Sequence, residues 1–286
     1  MAIDTSLNAM QSSEAVQTQF LQRPRGRIAY DVRGEGSLVL MVPGMGDPRT
    51  TFRFQVGPLA EAGFRVATMD LRGHGDSDTT FTAYDDPATA SDVSALIEHL
   101  GGRALVIGNS MGAAAGVIAA AEQPELISGL VLVGPFVRNP SAPAWQCLMF
   151  RAMMGGPWAR MAWLSWYPSL VPTRKDADYT EHRAAIGAAL ARPGYGRAFR
   201  ATTHVSHAPA EAALDKVSTN VLVVMGSKDT DFPDQQAEAQ WITDRLGGRV
   251  VMVPDAGHYP QSEFPEVTTP AVLEFARTVA AGRTDA

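Results

Sequence analysis

Gly108-Asn109-Ser110-Met111-Gly112 sets a serine midway between two glycines. A serine hydroxyl is a poor nucleophile near neutral pH. It becomes effective when a histidine takes its proton and a carboxylate holds that imidazole in the right tautomer. The chain supplies both, in the order serine, aspartate, histidine: Asp229 in Gly226-Ser227-Lys228-Asp229 and His258 in Asp255-Ala256-Gly257-His258. The expected chemistry is acyl transfer through a covalent acyl-serine. Asp231, Asp234 and Asp255 are rivals to Asp229 and read instead as loop or helix-capping residues. Ser110 itself has a plainer alternative as a helix N-cap.

Acyl transfer also needs backbone N–H groups aimed at the oxygen that becomes negative. One should follow the nucleophile, at Met111. A second is expected from Pro43-Gly44-Met45-Gly46-Asp47, whose glycines let the Met45 N–H approach; the alternative is an ordinary glycine turn. Arg72-Gly73-His74-Gly75-Asp76 also follows an apolar run, and there Arg72 and Asp76 are expected to organise the loop.

These residues must be carried by a scaffold, and the hydrophobic pattern describes one. Apolar runs at Leu38–Val42, Phe64–Met69, Ala104–Ile107, Leu130–Val133, Val221–Met225 and Val250–Val253 suit strands buried on both faces. Helix-like stretches alternate with them: Thr51–Ala62, Pro87–Leu100, Met111–Gln123, Pro233–Leu246 and Thr268–Ala280. Such alternation requires a mostly parallel sheet with helices on both faces, because each parallel return needs a crossover. Arg27–Arg33 adds an earlier antiparallel strand. Ligands in such sheets bind outside the carboxyl ends of the strands, where Ser110, Asp229, His258 and the Met45 loop all fall. The alternation fails from residue 136 to residue 215, which reads as a helical insertion carrying Trp145, Trp158, Trp163 and Trp166 with Met149, Met153, Met154 and Met161. Trp145, Met149, Met153 and Trp163 are the candidates to line an apolar substrate pocket; the alternative is that they only pack the insertion onto the core. The expected division is a polar arm over 1–20, a core over 21–135 and 216–286, and a cap over 136–215.

A net charge of -6 and pI near 5.5 argue against a nucleic-acid footprint. The 45% hydrophobic and 19% charged content is that of a folded soluble protein. The most apolar segment, Ala144 to Val171, is broken by arginines, glycines and a proline, so no membrane span is expected. Cys147 is the only cysteine and residues 1–20 lack a signal-peptide pattern, so a cytoplasmic setting is expected. His74, His99, His182, His204 and His207 show no metal-ligand spacing, and neither metal nor cofactor is expected. The expected partner is a small-molecule substrate; the oligomeric state is not legible.

Over Arg27 to Ala280 the chain resembles the α/β-hydrolase family, on the serine elbow, the late acid, the terminal histidine, Arg72-Gly73-His74-Gly75 and Asp255-Ala256-Gly257-His258. The resemblance implies the α/β-hydrolase fold, a mostly parallel twisted sheet with a helical lid insertion. It also implies hydrolysis of a small or medium carboxylic ester, lactone or thioester through acyl-Ser110. Many relatives carry His-Gly where this chain has Pro43-Gly44. Relatives with an aspartate nucleophile, such as haloalkane dehalogenases and epoxide hydrolases, are disfavoured by the serine at 110. The elbow also resembles that of carbon–carbon bond hydrolases of ring-cleavage products, which is the enzymatic alternative. A ligand-sensing receptor on the same scaffold is the non-enzymatic one.

Overall fold

The computed structural model describes residues 17–139 and 143–282. Eight strands form one sheet: β1 (Gln19–Arg23), β2 (Gly26–Arg33), β3 (Ser37–Val42), β4 (Phe64–Met69), β5 (Ala104–Asn109), β6 (Ile127–Val133), β7 (Val221–Gly226) and β8 (Arg249–Val253), in the spatial order 1-2-4-3-5-6-7-8. The first two pairings are antiparallel and all the rest parallel. The order doubles back at β3 and then runs outward, so each parallel step is bridged by a helix.

The strands are apolar on both faces because both faces are covered. On β3, Leu38, Leu40 and Val42 join one core, while Val39 and Met41 join the other. The first face packs against α2 (Asp86–His99), α3 (Met111–Glu122) and α9 (Gln235–Leu246), through residues such as Val93, Leu96, Ala114, Val117 and Ile242. The second packs against α1 (Arg53–Glu61) and α11 (Pro265–Ala281), through Leu59, Val272 and Phe275. This is the alternation of a strand read on two buried sides.

Between β6 and β7 the chain leaves the sheet for α4 (Ala144–Met154), α5 (Ala159–Leu170), α6 (Tyr179–Leu190), α7 (Tyr195–Thr202) and α8 (Ala208–Ala213). Among the described residues no strand lies in this insertion. Its own small core joins Met154, Trp163, Tyr167, Leu170, Ile186 and Phe199 to Tyr259 of the main body. Arg53 of α1 ties it down with ion pairs of 2.6 Å to Asp176 and 2.7 Å to Asp178. The short α10 (Pro260–Glu263) leads from the sheet edge into α11.

Three differences from the sequence reading have simple causes. The segment expected as a polar arm over 1–20 already enters the edge strand β1 at Gln19; the strand pairs only with β2 and buries Leu21 alone, a pattern too short to register in the sequence. Residues 1–16 lie outside the described residues. The helix expected from Thr51 begins as a 3-10 turn at Arg49–Phe52. Arg49 is drawn inward there: its backbone N–H donates to Asp70 at 2.7 Å, and its guanidinium pairs with Asp70, Asp31 (2.6 Å) and Asp76 (2.9 Å). The helix expected from Pro233 starts at Gln235, two residues late, because Asp234 caps it by accepting from the Ala237 N–H at 2.9 Å. Among the described residues no helix is long and apolar enough to cross a membrane.

Candidate active site

Ser110 stands between the end of β5 and the start of α3 with φ 54 and ψ -120. An L-residue pays roughly 1–3 kcal/mol to hold such a conformation, so its neighbours must fix it. They do so sterically. A Cβ on Gly112 would sit 2.2 Å from the Val42 carbonyl oxygen, and one on Gly108 would sit 2.4 Å from the Gly112 carbonyl oxygen. Backbone cannot yield there, so the two glycines are what allow strand β3, strand β5 and helix α3 to meet. The Ser110 N–H donates to the Val133 carbonyl at 2.9 Å, which fastens the turn to β6. The side chain is left partly exposed above the sheet, and among the described residues its Oγ takes part in no hydrogen bond.

Asp229 follows β7 and His258 follows β8, and the two meet: His258 Nδ1 and Asp229 Oδ2 are 2.8 Å apart, both side chains buried. This contact fixes the ring and leaves Nε2 as the nitrogen that can take a proton. Asp231, expected to be a loop residue, instead lies 3.6 Å from the same Nδ1. Asp229 Oδ1 accepts the Asp231 N–H at 3.0 Å, which turns the loop so that the second carboxylate also faces the histidine. Asp255 behaves as expected, forming an exposed ion pair with Lys228 at 2.6 Å.

Burial alone would suppress charge on His258, but Asp229, Asp231 and Asp47 outweigh it and push the imidazole up to about 9. Asp229, Asp231 and His258 offer ligand atoms within 4.8 Å of one another, the one grouping among the described residues that a cation could use. The 2.8 Å contact within it is that of an N–H···O hydrogen bond.

The loop after β3 backs onto the serine. A Cβ on Gly44 would come 2.7 Å from Ser110 Cβ, so only glycine permits the approach. Neither the Met45 nor the Met111 N–H donates in any turn, loop or capping hydrogen bond of the described residues. The Met111 N–H belongs to the first turn of α3, at its positive end.

The cap residues divide. Trp163 is buried and its indole lies over Gly46, where a Cβ would meet Cε2 at 2.5 Å; Met153 is partly buried against the cap core. Trp145 and Met149, by contrast, are 62% and 59% exposed. On α4 they occupy the outer face, since the helical turn that brings Met154 inward carries positions 145 and 149 outward.

Four contributors escaped the sequence reading. Asn109, the variable position before the serine, is fully buried, and its Nδ2 donates to the Val133 carbonyl at 3.0 Å and the His258 carbonyl at 3.3 Å. It couples the serine's strand to the histidine's loop. The Leu170 carbonyl at the end of α5 accepts the His258 N–H at 2.9 Å, so the cap holds the base. Phe136 packs its ring 5.8 Å from that of His258. Asp47 is wholly buried below the cap. Of these only Asn109 and Asp47 carried a signal, by lying inside motifs already singled out.

Comparison with known proteins agrees with this geometry. A 2-(acetamidomethylene)succinate hydrolase of Mesorhizobium japonicum is 29% identical over 266 residues, covering 87% of this chain and 92% of that one. A 2-hydroxy-6-oxo-6-phenylhexa-2,4-dienoate hydrolase of Comamonas testosteroni is 36% identical over 116 residues, covering 38% of this chain and 40% of that one. Among solved structures, Est816, described as an N-acyl homoserine lactone degrading enzyme, superposes with a TM-score of 0.77 at 23% identity, covering 90% of this chain and all of the other. The pattern of the alpha/beta hydrolase family matches residues 39–271, and with the sheet, the elbow and the His258–Asp229 pair in view, the chain belongs to that family.

Proposed function

We propose that the protein is a serine hydrolase that cleaves a small or medium carboxylic ester, lactone or thioester through an acyl-Ser110 intermediate. The observation that carries this reading is the buried His258–Asp229 pair, set at the same sheet edge as a serine held in a strained turn. His258 Nε2 takes the Ser110 proton as Oγ attacks the acyl carbon, and Asp229 stabilises the imidazolium that results. The Met45 and Met111 N–H groups bind the oxyanion. Collapse expels the leaving group, which takes the proton from His258, and a water activated by the same nitrogen then releases the acid. Approach of Ser110 Oγ to His258 is expected to tighten when substrate is bound, as is usual for such pairs.

The test is direct. Purified protein should turn over activated esters and be labelled at Ser110 by a serine-directed phosphonate, and Ser110→Ala should abolish both. Absence of both turnover and labelling would refute the reading.

A second reading, carbon–carbon bond hydrolysis, is favoured by the likeness to the Comamonas testosteroni relative, which is 36% identical over 116 residues. Faster turnover of vinylogous diketones than of any ester would select it.

A further inference from the structure

We propose that Asp47, His182 and Trp163 form a polar subsite in the seam between the oxyanion loop and the cap, which receives an uncharged group of the substrate that both donates and accepts hydrogen bonds, such as a secondary amide or a hydroxyl. The proposal rests on the hydrolase reading above and adds a substrate class to it. Its basis is a concentration of unpartnered polar atoms in one place. Asp47 is completely buried and only the Tyr259 hydroxyl bears on its carboxylate, short of full hydrogen-bond geometry, while His182 Nε2 and Trp163 Nε1 have no hydrogen-bond partner among the described residues. Buried polar groups in folded proteins are nearly always satisfied, and exceptions gathered at a functional seam call for a ligand.

The three residues converge from different elements. Asp47 ends the loop that carries Met45 and whose Gly44 backs onto the serine. His182 comes from α6, with Nε2 3.9 Å from Asp47 Oδ1. Trp163 comes from α5 and lies over Gly46, the residue before Asp47, where a Cβ would meet its Nε1 at 2.6 Å. Tyr167, four residues along α5, sets its ring 5.3 Å from that of Tyr259 in a tilted contact, and the Tyr259 ring is 5.1 Å from that of His258. The seam is thus continuous with the base as well as with the oxyanion loop.

The donor and acceptor types define the ligand. Trp163 Nε1 can only donate, the Asp47 carboxylate accepts, and a neutral His182 offers one of each. An anionic group would face Asp47. A cationic group would be opposed by Arg53, whose charge already acts on both Asp47 and His182. Burial holds both residues toward their neutral forms, Asp47 raised to about 7 and His182 lowered to about 4, which agrees with a site matched to a neutral dipole.

Binding to Ser110→Ala tests the subsite without requiring turnover. Calorimetry would compare esters whose acyl chains carry a secondary amide, a hydroxyl or the isosteric methylene at successive distances from the carbonyl. At one distance the amide or hydroxyl ester should bind at least about tenfold tighter than the methylene ester. Adding Trp163→Phe, which keeps the ring and removes the donor, should erase most of that preference, and Asp47→Asn should alter it. Equal affinity across the series, no binding by any ester, or a preference that survives Trp163→Phe would overturn the proposal. Wild-type kinetics keep the two claims apart: turnover without preference sinks the subsite alone, and preferential binding without turnover sinks the hydrolase reading alone.

Discussion

The serine elbow and the α4–α5 hairpin of the cap overhang the same sheet edge, yet they are specified by opposite means. Around Ser110 the nearest constraints are backbone atoms of three other elements, and Gly44, Gly108 and Gly112 each leave no room for a Cβ. In the hairpin the inner residues Met154, Trp163 and Tyr167 are buried, while Trp145, Leu148, Met149, Trp158, Met161 and Trp166 account for six of the eight exposed large hydrophobics among the described residues. The elbow is fixed by steric exclusion, the cap by one amphipathic face only. Substitutions should therefore act through chemistry or folding at the elbow, and in the cap only where they reach its inner side.

The largest effect falls on the nucleophile. Ser110→Ala should lower kcat by about 10⁴-fold or more in ester hydrolysis, as removing a triad nucleophile does, with the far-ultraviolet circular dichroism unchanged. A residual activity within tenfold of wild type would show that the elbow's strain serves something other than attack.

Next comes the steric claim. Gly112→Ala puts a methyl 2.2 Å from the Val42 carbonyl oxygen and should cost about 3 kcal/mol or more, read as a lower denaturation midpoint or insoluble expression. Trp163→Ala, within the buried side of the cap, should cost about 3–5 kcal/mol in the same measurement. If Gly112→Ala were tolerated while Trp163→Ala were not, the contrast between elbow and cap would be reversed.

This contrast also explains what the sequence could reveal. Strands such as Leu38–Val42 and Val221–Met225 were legible because both faces are buried, and uninterrupted Val and Leu then leave little choice of structure. Ser110, Asp229 and His258 were legible because each follows such a run. The outward turn of Trp145 and Met149 was not, since residue type tells neither which side of α4 meets the core nor that the inner side belongs to Met154. Asp231 was misread because its approach to His258 depends on a turn set by the Asp229 carboxylate, a contact with no local pattern. Leu170 acts through its carbonyl, which no side chain announces.

Protonation of His258 gives a more moderate prediction. The base must be neutral to accept the serine proton, so kcat/KM should rise with pH through a midpoint near 9 and level off only above it. Asp231→Asn removes one of the carboxylates that raise this imidazole and should move the rise to lower pH with little change in the plateau. The same shift has a stability consequence. A histidine raised above its unfolded value of 6.5 adds stability in full below that pH and loses it as pH climbs through about 9. Denaturant midpoints should therefore fall between pH 6.5 and 9, less steeply in Asp231→Asn. An unshifted rate profile would mean that Asp231 does not help set the base.

The smallest effect is the most discriminating test of how the cap is built. Met161 lies on α5 two residues from Trp163 but is 67% exposed, on the far side of the helix. Removing an exposed side chain forfeits almost no burial, so Met161→Ser should change stability by no more than about 0.5 kcal/mol, and ester kinetics by less than about twofold. Paired with Trp163→Ala on the same helix, it separates the two faces of one element in a single denaturation series. A loss from Met161→Ser approaching that from Trp163→Ala would mean that α5 presents a different face to the sheet, and with it that Leu170 no longer meets the His258 N–H.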